Sequence, residues 1–133
     1  MTNKSKKILS EISAGELLDK MSILEIKLDK VKDKSNLIEI NKEYQILKKA
    51  KNANIKISEK INQLYKELKK INLILWDTED KIRICEKNKD FGKEFIRLAR
   101  NVYFNNDKRS VIKSDINKIS GSNIREIKQY VNY

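Results

Sequence analysis

The feature that most constrains this chain is a long run of evenly spaced residues that begins at Ile57 and ends at Cys85. Spacings of four and three alternate without a break through Ile57, Ile61, Leu64, Leu68, Ile71, Leu75, Thr78, Ile82 and Cys85. Because this spacing keeps every member on one face of an α-helix, it predicts a single helix of about thirty residues, roughly 45 Å long. Thr78 is the one polar member.

A second run with the same spacing predicts a fourth helix of similar length. Its members are Phe91, Phe95, Leu98, Val102, Asn105, Arg109, Ile112, Ile116 and Ile119. Asp90 is the expected N-cap, and Gly121 is expected to end the helix as a C-terminal cap. The short turn at residues 88–90 makes the two long helices antiparallel neighbours, so Thr78 should face residues 102–105.

The first half of the chain predicts two further helices. Ser13 as N-cap and Glu16 three residues later form a capping box, which begins a first helix over about residues 14–32. Residues 33–36 are the expected turn, with Ser35 or Asn36 capping a second helix. That helix is expected to bury Leu37, Ile40, Tyr44 and Leu47. Residues 51–54 lose the apolar pattern and are expected to connect to the third helix.

Length and composition agree with a helical fold. The chain has 133 residues, no proline and three glycines, which suits one domain of long helices better than short strands with tight turns. We therefore predict an all-α fold, an antiparallel bundle of four main helices with a long hairpin between the third and the fourth. Residues 1–12 are expected to be a flexible basic leader, and residues 13–133 a single domain. The tail after residue 122 is compatible with a short docked segment.

The net charge of the chain indicates which classes of partner to expect. The formal net charge is +11, with 30 basic and 19 acidic residues, and a surplus of this size favours polyanions in general. Nucleic acid is therefore one expected class of partner, although the chain has no helix-turn-helix signature, glycine-rich loop or aromatic RNA-binding pattern. Many of the lysines fall opposite the apolar seams, where a solvated helix surface is the ordinary interpretation.

Several kinds of chemistry are disfavoured by composition. Histidine is absent, and a single cysteine, Cys85, excludes an internal disulfide and a cysteine-based zinc site. Cys85 lies in the apolar run and is expected to be buried packing. We expect no metal and no cofactor. No stretch approaches eighteen apolar residues and no signal sequence is evident, so a cytoplasmic protein without membrane contact is expected.

The candidate site follows from the distribution of arginine. Lysine supplies 25 of the 30 basic residues, yet all five arginines lie after residue 82. A guanidinium differs from an ammonium in offering a planar fork to carboxylate or phosphate. Two polar segments, residues 75–83 and 105–109, hold most of the candidates. The candidate ligand-binding residues are Trp76, Glu79, Asp80, Arg83, Arg100, Tyr103, Asn106, Asp107 and Arg109.

Two interpretations of this cluster remain open. In the first, Glu79 and Arg83 pair along one helix, Asp107 and Arg109 reach across to the other, and the network fixes helix register. In the second, the acids orient Arg83, Arg109 and Arg100 around an anionic ligand, with Trp76 or Tyr103 as a flat wall. Neither the glutamate spacing of the all-α nucleotide pyrophosphohydrolases nor the residue order of chorismate mutase is present.

Several segments together resemble a family of small all-helical bacterial proteins of unknown function. The matching segments are residues 12–20, 23–27, 75–76, 79–80, 82–83, 95–103, 106–109, 116–117 and 121–122. The resemblance implies a bacterial or phage origin and a context near surface-polysaccharide genes, with no assigned catalytic residues. It also implies that residues of the first helix join the cluster, namely Glu16, Asp19, Lys20, Glu25 and Lys27.

The sequence therefore leads to one preferred function and two alternatives. The preferred function is a non-enzymatic binding or adaptor protein that recognises a phosphate- or carboxylate-bearing small molecule or glycan precursor, in keeping with surface-polysaccharide assembly. The alternatives are a basic helical protein that binds nucleic acid and a small all-α enzyme acting on an anionic metabolite. A homodimer is expected, because helices of about 45 Å expose more seam than one short hairpin covers.

Overall fold

The computed structural model describes residues 6–133, and over that range it contains four α-helices and no strand. The helices are α1 (Ala14–Lys30), α2 (Lys34–Asn54), α3 (Glu59–Lys87) and α4 (Lys93–Ser120). The predicted all-α bundle with a long α3–α4 hairpin is confirmed. Within the described residues, no helix is long and apolar enough to cross a membrane.

Helix α1 lies at the centre of the arrangement. It packs against each of the other three helices, whereas α2 packs only against α1 among the described elements, and α3 packs along α4. The hydrophobic core gathers where α1 crosses the hairpin, and it contains no fully buried residue from α2. Its buried members are Leu17, Leu18, Met21, Ile55, Ile61, Leu64, Leu68, Ile112 and Ile116.

The ends of the helices show which local predictions are right. The side chain of Ser13 accepts a hydrogen bond from the Glu16 backbone N–H at 3.1 Å, so α1 begins where the capping box predicts. Gly121 ends α4 with φ +65°, the left-handed region that glycine adopts without steric cost. Helix α3 has 29 residues, close to the thirty that the apolar run predicts.

Three local predictions are wrong, each for a physical reason. The N-cap of α2 is Asp33, whose carboxylate accepts from the Asn36 N–H at 2.9 Å, rather than Ser35 or Asn36. Residues 51–54 are helical, because α2 continues until Ile55 turns into the core. The N-cap of α4 is Gly92 rather than Asp90, whose carboxylate accepts a hydrogen bond from the Gly92 N–H just before the helix begins.

The two terminal segments are not helical. The predicted leader covers residues 1–12, of which 1–5 lie outside the described residues; residues 6–12 form neither helix nor strand. Residues 122–133 also lack regular structure, but they are docked through polar contacts. Glu126 bonds Lys113 at 2.9 Å, and the Tyr133 hydroxyl donates to Asp107. The tail is therefore held against α4 by side chains rather than by a fifth helix.

Candidate functional site

The main candidate site is an open cleft where the end of α1 meets the α3–α4 hairpin. Its volume is about 430 Å³, which lies within the range of small-molecule sites. Two isoleucines of α1 form part of its apolar surface, and the two polar segments of the hairpin meet in it. The lining residues are Ile23, Ile26, Asn72, Leu75, Trp76, Glu79, Asp80, Arg83, Asn106 and Arg109.

Helix α3 supplies the polar rim of the cleft. Trp76, Glu79 and Arg83 recur at spacings of three and four, so they share one face of the helix. Trp76 is half-buried, while Glu79, Asp80 and Arg83 are exposed. The nearest approach of the Arg83 guanidinium to Glu79 is 3.9 Å, and 78% of the Arg83 side chain is accessible. An exposed ion pair of this length is weak, so Arg83 remains available to a ligand.

Arg109, by contrast, is already committed to a carboxylate. Its Nε donates to Asp19 Oδ1 at 2.9 Å and its Nη2 donates to Asp19 Oδ2, which is a two-pronged contact between α4 and α1. Its Nη1 donates to Asn106 Oδ1 at 3.3 Å. Asp19 is only 1% exposed. Arg109 therefore lines the cleft in a fixed orientation, with its charge balanced from behind.

Asn72 and Ser22 complete the surroundings of Asp19. Asn72 Nδ2 donates to Asp19 Oδ1 and to Ser22 Oγ, each at 2.8 Å, and the Ser22 hydroxyl donates to the Asp19 carbonyl. Both Asn72 donors are thus used inside the network. Its Oδ1 accepts no hydrogen bond from the described residues, and Asn72 itself lines the cleft.

The network keeps both members of the central ion pair charged. Burial alone raises the pKa of Asp19, but the hydrogen bonds from Arg109 and Asn72, together with the charges of Arg109 and Lys113, hold it below its usual value. The same hydrogen bonds from Arg109 to Asp19 raise the pKa of the guanidinium despite its burial. At neutral pH the pair is an ionised, internally satisfied unit.

Lys113 extends this network to the tail. Its ammonium lies 2.8 Å from Glu16, 2.9 Å from Glu126 and 3.7 Å from Asp19. Burial favours the neutral amine, but the hydrogen bonds to Glu16 and Glu126 outweigh it, and the pKa of Lys113 is raised. One buried cation of α4 thus joins α1 to residue 126.

The first turn of α1 sits directly on α4. The Gly15 N–H donates to Asn117 Oδ1 at 2.7 Å, and the Ala14 N–H donates to Ser122 Oγ at 2.8 Å. A Cβ on Gly15 would lie 2.6 Å from the Lys113 carbonyl oxygen, so only glycine permits this approach. The backbone donors at this helix end are therefore satisfied within the chain, and this close packing sets the position of Asp19 one turn further on.

The structure gathers six of the nine sequence-predicted residues in the cleft: Trp76, Glu79, Asp80, Arg83, Asn106 and Arg109. The other three lie elsewhere. The guanidinium of Arg100 sits over the Phe104 ring, 5.4 Å from its centroid. Tyr103 and Asp107 line a neighbouring groove against the tail, where both contact Tyr133.

The five residues of α1 that the resemblance adds to the cluster are likewise found in different places. Glu16 and Asp19 join the ion-pair network, whereas Glu25 accepts from Tyr65 and pairs with Lys69 at 3.1 Å, and Lys20 is exposed. Lys27 lines a groove between α1 and α2.

Sequence reasoning missed several members of the network: Ser22, Asn72, Lys113 and Glu126. The available signal was an asparagine and a lysine next to seam positions in predicted helices. Among residues 6–133, no group of three or more side chains of the types His, Cys, Asp and Glu is arranged to hold a metal ion.

The fold and cleft define the class as a small all-α protein with an open, ligand-sized cleft beside a buried ion-pair network. The chain belongs to DUF6165, a family of unknown function, whose family model matches residues 8–133. This agrees with the resemblance to a family of small helical proteins of unknown function. Comparison with curated proteins found no match, and comparison with solved structures also found none.

Proposed function

We propose that this chain is a non-enzymatic binding protein whose cleft takes a small, hydroxyl-rich molecule that carries one phosphate or carboxylate group. The observation that carries the proposal is the position of the accessible Arg83 and of Trp76 in one 430 Å³ cleft whose inner wall is held by the Asp19–Arg109 pair. Because Arg109 and Asp19 already hold each other in place, the entropic cost of ordering side chains on binding is confined to the rim residues such as Arg83.

The charge of the cleft limits the ligand to a modest anion. Arg83 is the cation with accessible donors, because Asp19 balances the charge of Arg109. Two exposed carboxylates, Glu79 and Asp80, share the rim and repel a polyanion. One anionic group beside Arg83 is therefore favoured over a long run of phosphates.

The remaining polar atoms suit hydroxyl groups. The carboxylates of Glu79 and Asp80 and the Oδ1 of Asn72 are hydrogen-bond acceptors, which match the donors of a sugar ring. Trp76 offers a flat apolar surface to the face of such a ring, and Ile23 and Ile26 supply the apolar part of the lining. A sugar phosphate or nucleotide sugar combines these features, in keeping with a role in surface-polysaccharide assembly.

The chemistry of the site favours binding over catalysis. A general acid at neutral pH needs a raised pKa. Asp19, the buried carboxylate that adjoins the cleft, has a lowered pKa and all its charge engaged by Arg109, Asn72 and Lys113. It is suited to hold Arg109 in position rather than to transfer a proton.

The test is a titration of the full chain, followed by NMR chemical shifts and calorimetry, with glucose 1-phosphate, glucose, inorganic phosphate and a short DNA duplex as probes. We expect glucose 1-phosphate to shift the Trp76 indole resonance and to bind more tightly than glucose or phosphate alone. Arg83→Ala should weaken binding by about tenfold or more, since it removes a charge-assisted hydrogen bond.

Arg97→Ala is the matched control. Arg97 is also an exposed arginine paired with a glutamate in its own helix, but it lies outside the cleft. Equal losses in the two variants, or no Trp76 shift with any sugar phosphate, would refute the proposal. Tight DNA binding whose affinity falls steeply with salt, without a Trp76 shift, would refute it in favour of the nucleic-acid alternative.

A further inference from the structure

Helix α4 carries an uncharged face on the half of the hairpin nearest the turn. Between residues 93 and 109, the helical positions of Phe95, Ile96, Ala99, Val102, Tyr103 and Asn106 fall within a single arc of about 120°. No charged residue occurs in that arc, although Asp107 and Arg109 lie beside its two edges. The other charged residues of the stretch project from the remainder of the helix, namely Lys93, Glu94, Arg97, Arg100 and Lys108. We call these six residues the uncharged face.

The helices of its own chain cover the uncharged face only in part, and the tail lies against its far end at Val102, Tyr103 and Asn106. Helix α1 has 17 residues, about 25 Å, against 29 residues, about 44 Å, for α3, so it spans only part of the hairpin. The core that it forms lies against residues 61–68 of α3 and 112–116 of α4. Closer to the turn, Phe95, Ala99 and Val102 are only half-buried, and Ile96 is 55% exposed.

The accessible area of the whole chain is large for its mass. A compact monomer of 15.7 kDa exposes about 7,300 Å², whereas this chain exposes 10301 Å², an excess of roughly 3,000 Å². Segments outside the helices account for part of the excess, and half-exposed helix faces contribute to it as well. Stable homodimers bury about 1,000–2,500 Å² per chain, which this excess can supply.

We propose that a second copy of the chain packs on the uncharged face, so that two hairpins form a four-helix arrangement around a two-fold axis. A two-fold contact brings the same surface of both copies together, and in a chain of net charge +11 a face without charge avoids repulsion between like charges.

The composition of the face suits a helix–helix contact. Ala99 lies at its centre and permits close approach of the helix axes, while Phe95 and Ile96 supply apolar area on either side. Phe95 is already oriented by an edge-to-face contact with Phe91, whose ring centroid lies 5.3 Å away. A partly fixed aromatic side chain loses little conformational entropy when a partner covers it.

The test compares two isoleucines with nearly equal exposure. Ile96 is 55% exposed and belongs to the uncharged face; Ile84 is 57% exposed, lies on α3 and does not belong to it. Light scattering after gel filtration should give the wild-type chain twice the 15.7 kDa monomer mass. Ile96→Asp should be monomeric over an approximately hundredfold concentration range in which Ile84→Asp remains dimeric.

The proposal is overturned if the wild-type chain is monomeric throughout that range, or if Ile84→Asp dissociates the dimer as much as Ile96→Asp does. Far-ultraviolet circular dichroism of each variant shows whether the helices persist, and Ala99→Gln provides a second substitution on the same face if Ile96→Asp does not fold. Asn106 belongs to both the uncharged face and the cleft, but none of these substitutions changes it or another cleft residue, and the mass is measured without ligand, so failure of this proposal is distinguishable from failure of the binding proposal.

Discussion

Replacement of Arg109 by methionine is expected to reduce the free energy of unfolding by about 3–5 kcal/mol at neutral pH, the usual cost of removing one partner from a buried ion pair. Asp19, which is 1% exposed, would keep Asn72 as a donor and the Lys113 ammonium at 3.7 Å, but it would lose both hydrogen bonds from the guanidinium. A domain of this size has about 5–15 kcal/mol of stability. The substitution therefore removes a large share of it without changing the shape of the core.

Urea denaturation followed by circular dichroism measures this loss. With an m-value of about 2 kcal/mol per molar urea, the midpoint should fall by about 2 M. The double variant Asp19→Leu/Arg109→Met should recover most of the loss, because it leaves no buried charge without its main partner. Arg97→Met, which removes an exposed arginine paired with Glu94, should leave the midpoint unchanged.

The pH dependence gives an independent check of the same reasoning. In the wild type the pKa of Asp19 is lowered, so its stabilising contribution is present above its ordinary value of 3.8 and is lost as the pH falls through the folded-state value. In Arg109→Met, Asp19 is buried without the guanidinium, and burial favours its protonated form. Acidification therefore removes the free-energy cost of burying the Asp19 charge. The difference in free energy of unfolding between the wild type and Arg109→Met should therefore decrease from pH 7 to pH 4. A loss below about 1 kcal/mol at pH 7, or a gap that does not change with pH, would contradict the buried-charge argument.

Two further predictions concern the packing around this pair. Gly15→Ala should lower the free energy of unfolding by about 1–3 kcal/mol in thermal or urea unfolding, because its Cβ would meet the Lys113 carbonyl at 2.6 Å. In the control Gly92→Ala, the Cβ would meet only the Asp90 side chain at 3.3 Å, so the loss should be less than about 1 kcal/mol. Glu126→Gln should release the tail and lower the heteronuclear NOE of residues 124–133, whereas Glu86→Gln, at an exposed pair with Lys89, should not. Lys113 holds the pKa of Glu126 below its usual 4.5, so the contact between Glu126 and Lys113 in the wild type should persist on acidification to about that pH. If the tail is equally ordered in Glu126→Gln and Glu86→Gln, Glu126 does not anchor it.

The hairpin half of the cleft was predictable from sequence. Residues at spacings of four and three must share a helix face, and a short turn forces the two helices to lie side by side, so Glu79, Arg83 and Arg109 were expected close together. All three line the cleft. Arg100 is predicted as a further guanidinium of the same site and Tyr103 as its flat wall, but Arg100 lies over Phe104 and Tyr103 contacts Tyr133 instead.

The boundaries that failed depended on contacts outside the local pattern. Residues 51–54 contain asparagine and no apolar seam, yet they remain helical because the burial of Ile55 follows directly after them. The specific partner of Arg109 was also not predictable, although the resemblance implies that Asp19 and four other residues of the first helix join the cluster. Asp19 lies 90 residues away in sequence, and several acids of the hairpin were equally plausible partners.

The sequence by itself determined the helical class, the approximate lengths of α1, α3 and α4, and the caps at Ser13 and Gly121, because periodicity and capping depend on residues within one or two turns. Only the tertiary structure decided where α1 crosses the hairpin. That crossing depends on the close approach at Gly15, and it selects Asp19 as the carboxylate that Arg109 binds. Helix periodicity does not indicate which face of one helix packs against which face of a helix distant in sequence. Tertiary packing therefore decided which residues form the inner wall of the cleft.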